Sequence, residues 1–420
     1  VNWLTLDHLV LGFCFALGAC VGSFVNVVAY RWPRGLSVVH PPSACPKCGK
    51  QLGWGENLPI LGWFILRGRC RGCRGSISFR YPAVELLAAC LFAGMFIAMF
   101  WKGMAPASPW VLQNRLAASW PGWTGNLALQ TDWPIFALYL FAVGCLLAIS
   151  LVDLECYMIP LGITWMLAGV GMVTHALIAG PHVPGALIPG QAGLSVAFGG
   201  AAGLLISILL LKLGVFRQSY ASGAPLLEVE RESLQVTGDP QGDPAVDLDF
   251  TRRDHVREMI HEVIFLLPPI ALAAVAYLAL PGDSPAGELW QRLVSPLWVQ
   301  GLLGSILGGL IGAFVVWLTR IVGTIGFGRE AMGLGDVHLM FGAGAVIGAA
   351  PATVAFFVAP FFGIAVAVYL LVTGKRRELP YGPYLAMGVV AMMLFYPKVH
   401  ERLAPGFDGL WMMLSRLFGA

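Results

Sequence analysis

The chain is a succession of apolar runs, each close to the length that a bilayer demands, and this pattern constrains the fold more than any other feature. A spanning helix needs roughly 20 mostly apolar residues, because backbone polar groups inside lipid must be bonded within their own segment. Such runs fall near residues 9–30, 82–101, 134–152, 163–180, 193–212, 263–280, 297–319, 337–350, 352–372 and 383–397. Pro351 splits the stretch 337–372, which is too long for one span. Hydrophobic residues make up 57% of the chain and charged residues 12%, against about 25% charged in soluble domains. The expected class is an all-α polytopic membrane protein with about ten transmembrane helices. A net charge of +3 gives no reason to expect a nucleic-acid partner; the partner shared by all these runs is the lipid bilayer.

The N-terminus contains Leu17-Gly18-Ala19-Cys20, which looks like a lipoprotein cleavage box. No Lys or Arg precedes the run, however, and the run continues to Tyr30, unlike a short cleavable h-region. Leu9–Tyr30 is therefore expected to be a retained first helix.

Lys and Arg set the orientation. With an outside N-terminus, the inside segments 31–81, 212–262, 320–336 and 373–382 hold 20 of the 26 basic residues. The outside segments 102–133, 181–192, 281–296 and 398–420 hold 6. Basic residues stay cytoplasmic. The expected organisation is then a first helix (1–30), a cytoplasmic loop (31–81), a helical block (82–211), a polar cytoplasmic insert (212–262), a second helical block (263–397) and a tail (398–420). The insert contains "GDPQGDPAVDLDF", a composition suited to a flexible excursion. Its end, "DHVREMIHE", reads as helical. Glu258 and His261 form one E-x-x-H pair there, but a di-metal site needs a second pair and further Glu residues, so a solvated amphipathic face is expected.

The first cytoplasmic loop carries Cys45, Cys48, Cys70 and Cys73, two C-x2-C knuckles with 21 residues between them. Each knuckle offers two thiolates on one side of a tight turn, and two knuckles close a tetrahedron. This is the spacing of a structural tetrathiolate zinc site. Gly49 and Gly72 are expected to supply the turns. The competing reading, two disulfides, is disfavoured in a cytoplasmic loop. Cys14, Cys20, Cys90 and Cys145 lie inside apolar runs and Cys156 just past one, and are expected to pack.

Two acidic residues lie at the edges of apolar runs. Asp153, in "SLVDLECYMIP", ends one span, and Asp336, in "GLGDVHLM", opens another, 183 residues later. Brought together, two carboxylates cannot both ionise cheaply and would share a proton, the arrangement of an aspartyl dyad. Gly333 and Gly335 would let a substrate backbone approach. Taken singly, Asp336 could be a helix N-cap and Asp153 an interfacial carboxylate beside Glu155. An ion path is a further possibility, although no internal repeat of spans is evident.

Five segments in this order resemble the type IV prepilin peptidase family. They are "VGSFVNVVAYRWPRG", the four-cysteine loop through "SFRYPAVELL", "LVDLECYMIP", "GREAMGLGDVHLMFGAGAVIG" and "LPYGPYLAMG". The resemblance implies an inner-membrane enzyme of bacteria with its active site at the cytoplasmic face. It would cleave the leader of prepilin or pseudopilin substrates after a Gly and N-methylate the new terminus with S-adenosylmethionine. Asp153 and Asp336 match the catalytic positions. Asn26, Arg31, Glu85 and Glu330 are the candidates for binding the methyl donor or the leader's charge. The chain departs from the family at Leu161, where Asp is usual, at His338, where Lys is common, and in the insert. His338 would make activity more pH-dependent. Alternatives are a GxGD intramembrane protease without methyl transfer and a non-enzymatic zinc-clipped scaffold or carrier.

Overall fold

A computed structural model describes residues 6–45, 47–100, 129–180, 185–217, 219–220, 252–282, 284–373, 380–396, 399 and 402. Residues 221–251 of the expected insert (212–262), residues 101–128, which include most of the outer segment 102–133, and most of the tail lie outside the described residues. The helices in order are α1 (Leu6–Arg31), α2 (Leu61–Ile65), α3 (Arg80–Phe100), α4 (Leu129–Cys156), α5 (Leu161–Leu177), α6 (Gln191–Lys212), α7 (Arg252–Ala279), α8 (Pro285–Val294), α9 (Leu297–Phe327), α10 (Leu334–Ile347), α11 (Ala349–Val372) and α12 (Gly382–Tyr396). Extended pairing among the described residues is confined to two isolated bridges, Ala44 with Gln51 and Arg69 with Ser76.

Seven of these helices are long and apolar enough to cross a membrane. The other three expected spans are α5, α10 and α12, apolar helices of 10–17 residues, so the expected count of about ten is not met by length. The break in 337–372 also falls elsewhere. Gly348, at φ 88°, ends α10, and Pro351 sits inside the first turn of α11, where a missing N–H costs nothing. In the outer segment 281–296, the amphipathic α8 is an addition. Ser284 caps it by accepting the Gly287 amide, and Trp290 and Val294 join Leu194, Ala197 and Leu303 in a core cluster.

The chain forms two compact units. In the first, which holds residues up to Val152, α1 lies on α3 across a small-residue seam. A Cβ added at Gly18 would sit 2.6 Å from the Ala88 carbonyl, and one at Gly22 would sit 2.7 Å from Glu85 Cα. Glycines four apart bring two backbones together, which is how helices associate where the solvent is itself apolar. Beside them Phe100 meets Phe136 of α4 edge to face at 5.2 Å.

The second unit holds Asp153–Gly180 and Ala186–Val389. Here α6 packs on α7, and α9 packs on α10 and α5. Gly308 of α9 and Gly344 of α10 approach each other backbone to backbone, and Ser305 donates to the Ala345 carbonyl at 2.6 Å. Pro268 and Pro269 lie within α7. Pro269 has no N–H for the Phe265 carbonyl four residues earlier. Ser207 of α6 supplies the missing donor at 2.7 Å, the kind of compensation a span requires.

Candidate active site and metal centre

In the first unit, the two knuckles are matching tight turns. Cys45 N–H donates to Lys50 O and Gly49 N–H to Cys45 O; Cys70 N–H donates to Gly75 O and Arg74 N–H to Cys70 O, all at 2.9 Å. The four sulfurs lie within 4.8 Å of one another, with Cys45–Cys73 and Cys48–Cys70 at 3.9 Å. A tetrahedral centre with metal–sulfur bonds of about 2.3 Å has sulfurs roughly 3.8 Å apart. A disulfide needs about 2.05 Å, and all four thiols are free, so the disulfide reading is overturned. The donor set fits a closed tetrathiolate site. The left-handed positions are Gly49 (φ 70°) and Arg74 (φ 56°), not Gly72 as expected. Gly72 acts differently: its amide donates to Cys70 Sγ at 3.3 Å. The amides of Cys73 and Gly72 bring the Cys70 thiol down to about 6, while hydrogen bonding to Cys73 pushes Cys48 up to about 11.

In the second unit, Asp153 occupies the last turn of α4 and Asp336 the first turn of α10, and both are buried. Folding brings these carboxylates close enough to act on each other electrostatically. Asp153 Oδ2 accepts Gly382 N–H at 3.0 Å, and the Gly333 amide acts electrostatically on Asp336. The N-cap of α10 is Gly333 itself. Asp336 is therefore not the cap but the third helical residue of α10.

Three residues without an expected role complete the surroundings. Ile159, in the turn between α4 and α5, fills the space beside both aspartates. A Cβ on Gly335 would lie 2.9 Å from Ile159 Cβ, and one on Gly382 would lie 3.5 Å from Ile159 Cδ1. Gly335 is thus a packing position, which corrects the expectation that it opens a path for substrate. Gly333 is exposed, and a Cβ there would meet nothing closer than Asp336 Oδ2 at 3.7 Å. Gly382 and Tyr381 belong to the "PYGPY" segment. A Cβ on Gly382 would lie 2.5 Å from Asp153 Oδ2. Tyr381 interacts electrostatically with Asp336, and its hydroxyl donates to Phe356 O at 3.4 Å. The late Pro-Tyr-Gly-Pro string marked these residues in the sequence, but nothing local in it points to Asp153.

The remaining expectations fare unevenly. Leu161 opens α5 and is exposed. His338 Nδ1 lies 2.8 Å from Leu334 O, its ring meets Trp165 edge-on at 5.8 Å, and it faces an apolar cavity of about 500 Å³. The E-x-x-H face is not solvated: Glu258 and Glu262 are buried, Glu258 accepting Tyr220 N–H at 2.7 Å. Of the methyl-donor candidates, Asn26 donates to Tyr81 O, Arg31 to Ser37 O, Glu85 accepts Ile60 N–H, and Glu330 pairs with Arg320. All four are engaged within their own unit, and the buried Asn26 Oδ1 has no partner.

Residues 16–99 match the Bacterial Peptidase A24 N-terminal domain, and residues 269–368 match the Type IV leader peptidase family. Asp336 lies inside the second match and Asp153 outside both. Similar curated proteins include a prepilin leader peptidase/N-methyltransferase of Myxococcus xanthus (strain DK1622), 40% identical over 162 residues, covering 38% of this chain and 39% of that protein. The protein of the same name in Aeromonas salmonicida (strain A449) is 30% identical over 218 residues, covering 46% and 64%. That of Bacillus subtilis (strain 168) is 43% identical over 83 residues, covering 20% and 34%. No solved structure matches. The matches thus span less than two thirds of these relatives' lengths, yet both family regions occur in one chain and in the expected order. With a four-cysteine centre in the first region and a buried aspartate opening a helix in the second, the chain is similar to the type IV leader peptidase family over both matched regions.

Proposed function

We propose that the protein is an aspartyl endopeptidase of the bacterial inner membrane that removes leader peptides from prepilins or pseudopilins. The observation that carries this reading is the pairing, within one compact unit, of two buried carboxylates from helices 183 residues apart in the chain. One of two adjacent carboxyls retains a proton because two neighbouring negative charges are costly. The ionised partner takes a proton from water as it attacks the scissile carbonyl. The protonated partner donates to the carbonyl oxygen, and the proton passes on to the departing amine. The Gly382 amide holds the Asp153 side chain in place. The basic-residue bias puts both aspartates at the cytoplasmic face, where a leader would arrive. The four-cysteine centre, with no open position, would hold zinc as a structural clip for a loop with little core of its own.

The names of the relatives support a second activity, N-methylation of the new terminus, with S-adenosylmethionine as the donor that the resemblance implies. Asn26, Arg31, Glu85 and Glu330 stay the candidates for that donor or for the leader's charge, each also engaged in a contact of its own.

The test is incubation of purified protein with a prepilin-like peptide and S-adenosylmethionine, read by mass spectrometry. Wild type should release the leader and add one methyl to the product. Asp153→Asn and Asp336→Asn keep a side-chain oxygen, so insertion should persist while cleavage falls by about 10²–10⁴ or more. Near-wild-type cleavage by either variant sinks the dyad.

A further inference from the structure

The loop that delivers Asp336 has few means of holding itself. Residues 328–335 include Gly328, Gly333 and Gly335, with Ala331 among them. Its order comes from the last turns of α9. Thr324 receives the Gly328 N–H on its carbonyl and the Ala331 N–H on Oγ1 at 3.1 Å. One turn earlier stands Arg320, 1% exposed and the largest fully buried side chain among the described residues. Its Nε lies 3.0 and 3.2 Å from the two oxygens of Glu262 on α7. Its Nη1 bonds both the Glu330 carboxylate and the Met332 carbonyl. Glu262 is held in turn by Trp317 Nε1 at 2.7 Å and Ser219 Oγ at 3.0 Å, and the Tyr220 ring lies 5.6 Å from the guanidinium.

We propose that Arg320 is the positioning residue for Asp336, clamping the 329–333 loop to α7 and α9 through Glu330 and the Met332 carbonyl. The inference rests on the dyad reading of the site. A buried ion pair is poor evidence of added stability, since apolar replacements often do as well. What a planar guanidinium adds is geometry: several donors fixed in one plane, reaching an anchor on one side and the loop on the other. Arg320 and Thr324, four residues apart, lie on the same face of α9. Together they grip residues 328, 330, 331 and 332, directly before the cap of α10. The guanidinium also interacts electrostatically with Asp336, so a charge-only role must be separated from a clamp.

Arg320→Lys separates them, because it keeps the charge and loses the fork. The measurement uses the full chain in detergent, with kcat and KM for a prepilin-like peptide and amide hydrogen exchange across residues 329–336. A clamp predicts a loss of about 10²-fold in kcat, the size expected for roughly 1 Å of misplacement. KM should be little changed, and exchange should be faster in 329–336 but unaltered in the interiors of α9 and α10. Wild-type kcat in Arg320→Lys overturns the proposal, and so does a fall in kcat without a change in loop exchange. If Arg320→Lys does not insert, Glu330→Gln and Thr324→Val decide. Each removes one grip from a partner that is half-exposed or neutral, and the proposal falls if both keep wild-type kcat and exchange. Asp153→Asn is run alongside. Cleavage that survives in it refutes the dyad, while the exchange result still judges the clamp.

Discussion

Gly382→Ala is the substitution whose consequence follows most directly from the structure. Gly382 opens α12 with an ordinary backbone, since it is not among the positive-φ residues. Alanine there would normally favour the helix by about 0.5–1 kcal/mol. Its amide would still be available to Asp153. The difficulty is the methyl group. It would lie 2.5 Å from Asp153 Oδ2, 3.2 Å from Asp153 Cγ and 3.5 Å from Ile159 Cδ1. Carbon–oxygen contact needs over 3 Å, so the carboxylate or the start of α12 must move by several tenths of an ångström or more. Overpacking of this kind costs about 1–3 kcal/mol in stability. In catalysis a displacement approaching 1 Å costs about 10²-fold, equivalent to roughly 2.7 kcal/mol of barrier. The assay is leader cleavage by purified Gly382→Ala beside Gly169→Ala, a helical position on α5 with nothing within 4 Å of an added Cβ. Gly169→Ala should cleave as wild type does. If Gly382→Ala also cleaves within about threefold of wild type, far from that 10², Asp153 is not working where the structure puts it.

Metal analysis should find about one zinc per chain; Cys45→Ser with Cys48→Ser should lose it and expose residues 43–78 to protease, and metal-free protein with an ordered loop would contradict the site. A reporter fused near Gly242 should read cytoplasmic and one near Gly122 external, the opposite pattern reversing the placement of both aspartates. Gly335→Ala should lower thermal stability by about 1–3 kcal/mol through collision with Ile159. Gly333→Ala should leave stability unchanged and slow cleavage only if substrate passes over it; equal stability loss in both variants would show that Gly335 is not specially packed.

What the sequence determined by itself is what is local in the chain. Apolar length decided where the helices run, to within a few residues for α1, α3, α5 and α6, because a span is specified by its own composition. The C-x2-C spacing decided the four-sulfur cluster, because each knuckle is a turn of a few residues that closes on itself. Tertiary structure decided whatever depends on partners distant in the chain. Gly382 meets Asp153 across 229 residues, and Arg320 meets Glu262 across 58. In periodicity or spacing Gly382 is one more helix-start glycine, and Glu258 and Glu262 read as a solvated face until Tyr220 bonds the first and α9 the second. Gly335 and Gly333 are indistinguishable as letters and differ only because Ile159 arrives against one of them. The sequence could name Asp153 and Asp336 as carboxylates at helix ends, but helix packing alone made them neighbours, because the close approach of α10 to α9 and α5 depends on glycines and small residues facing one another across separate segments.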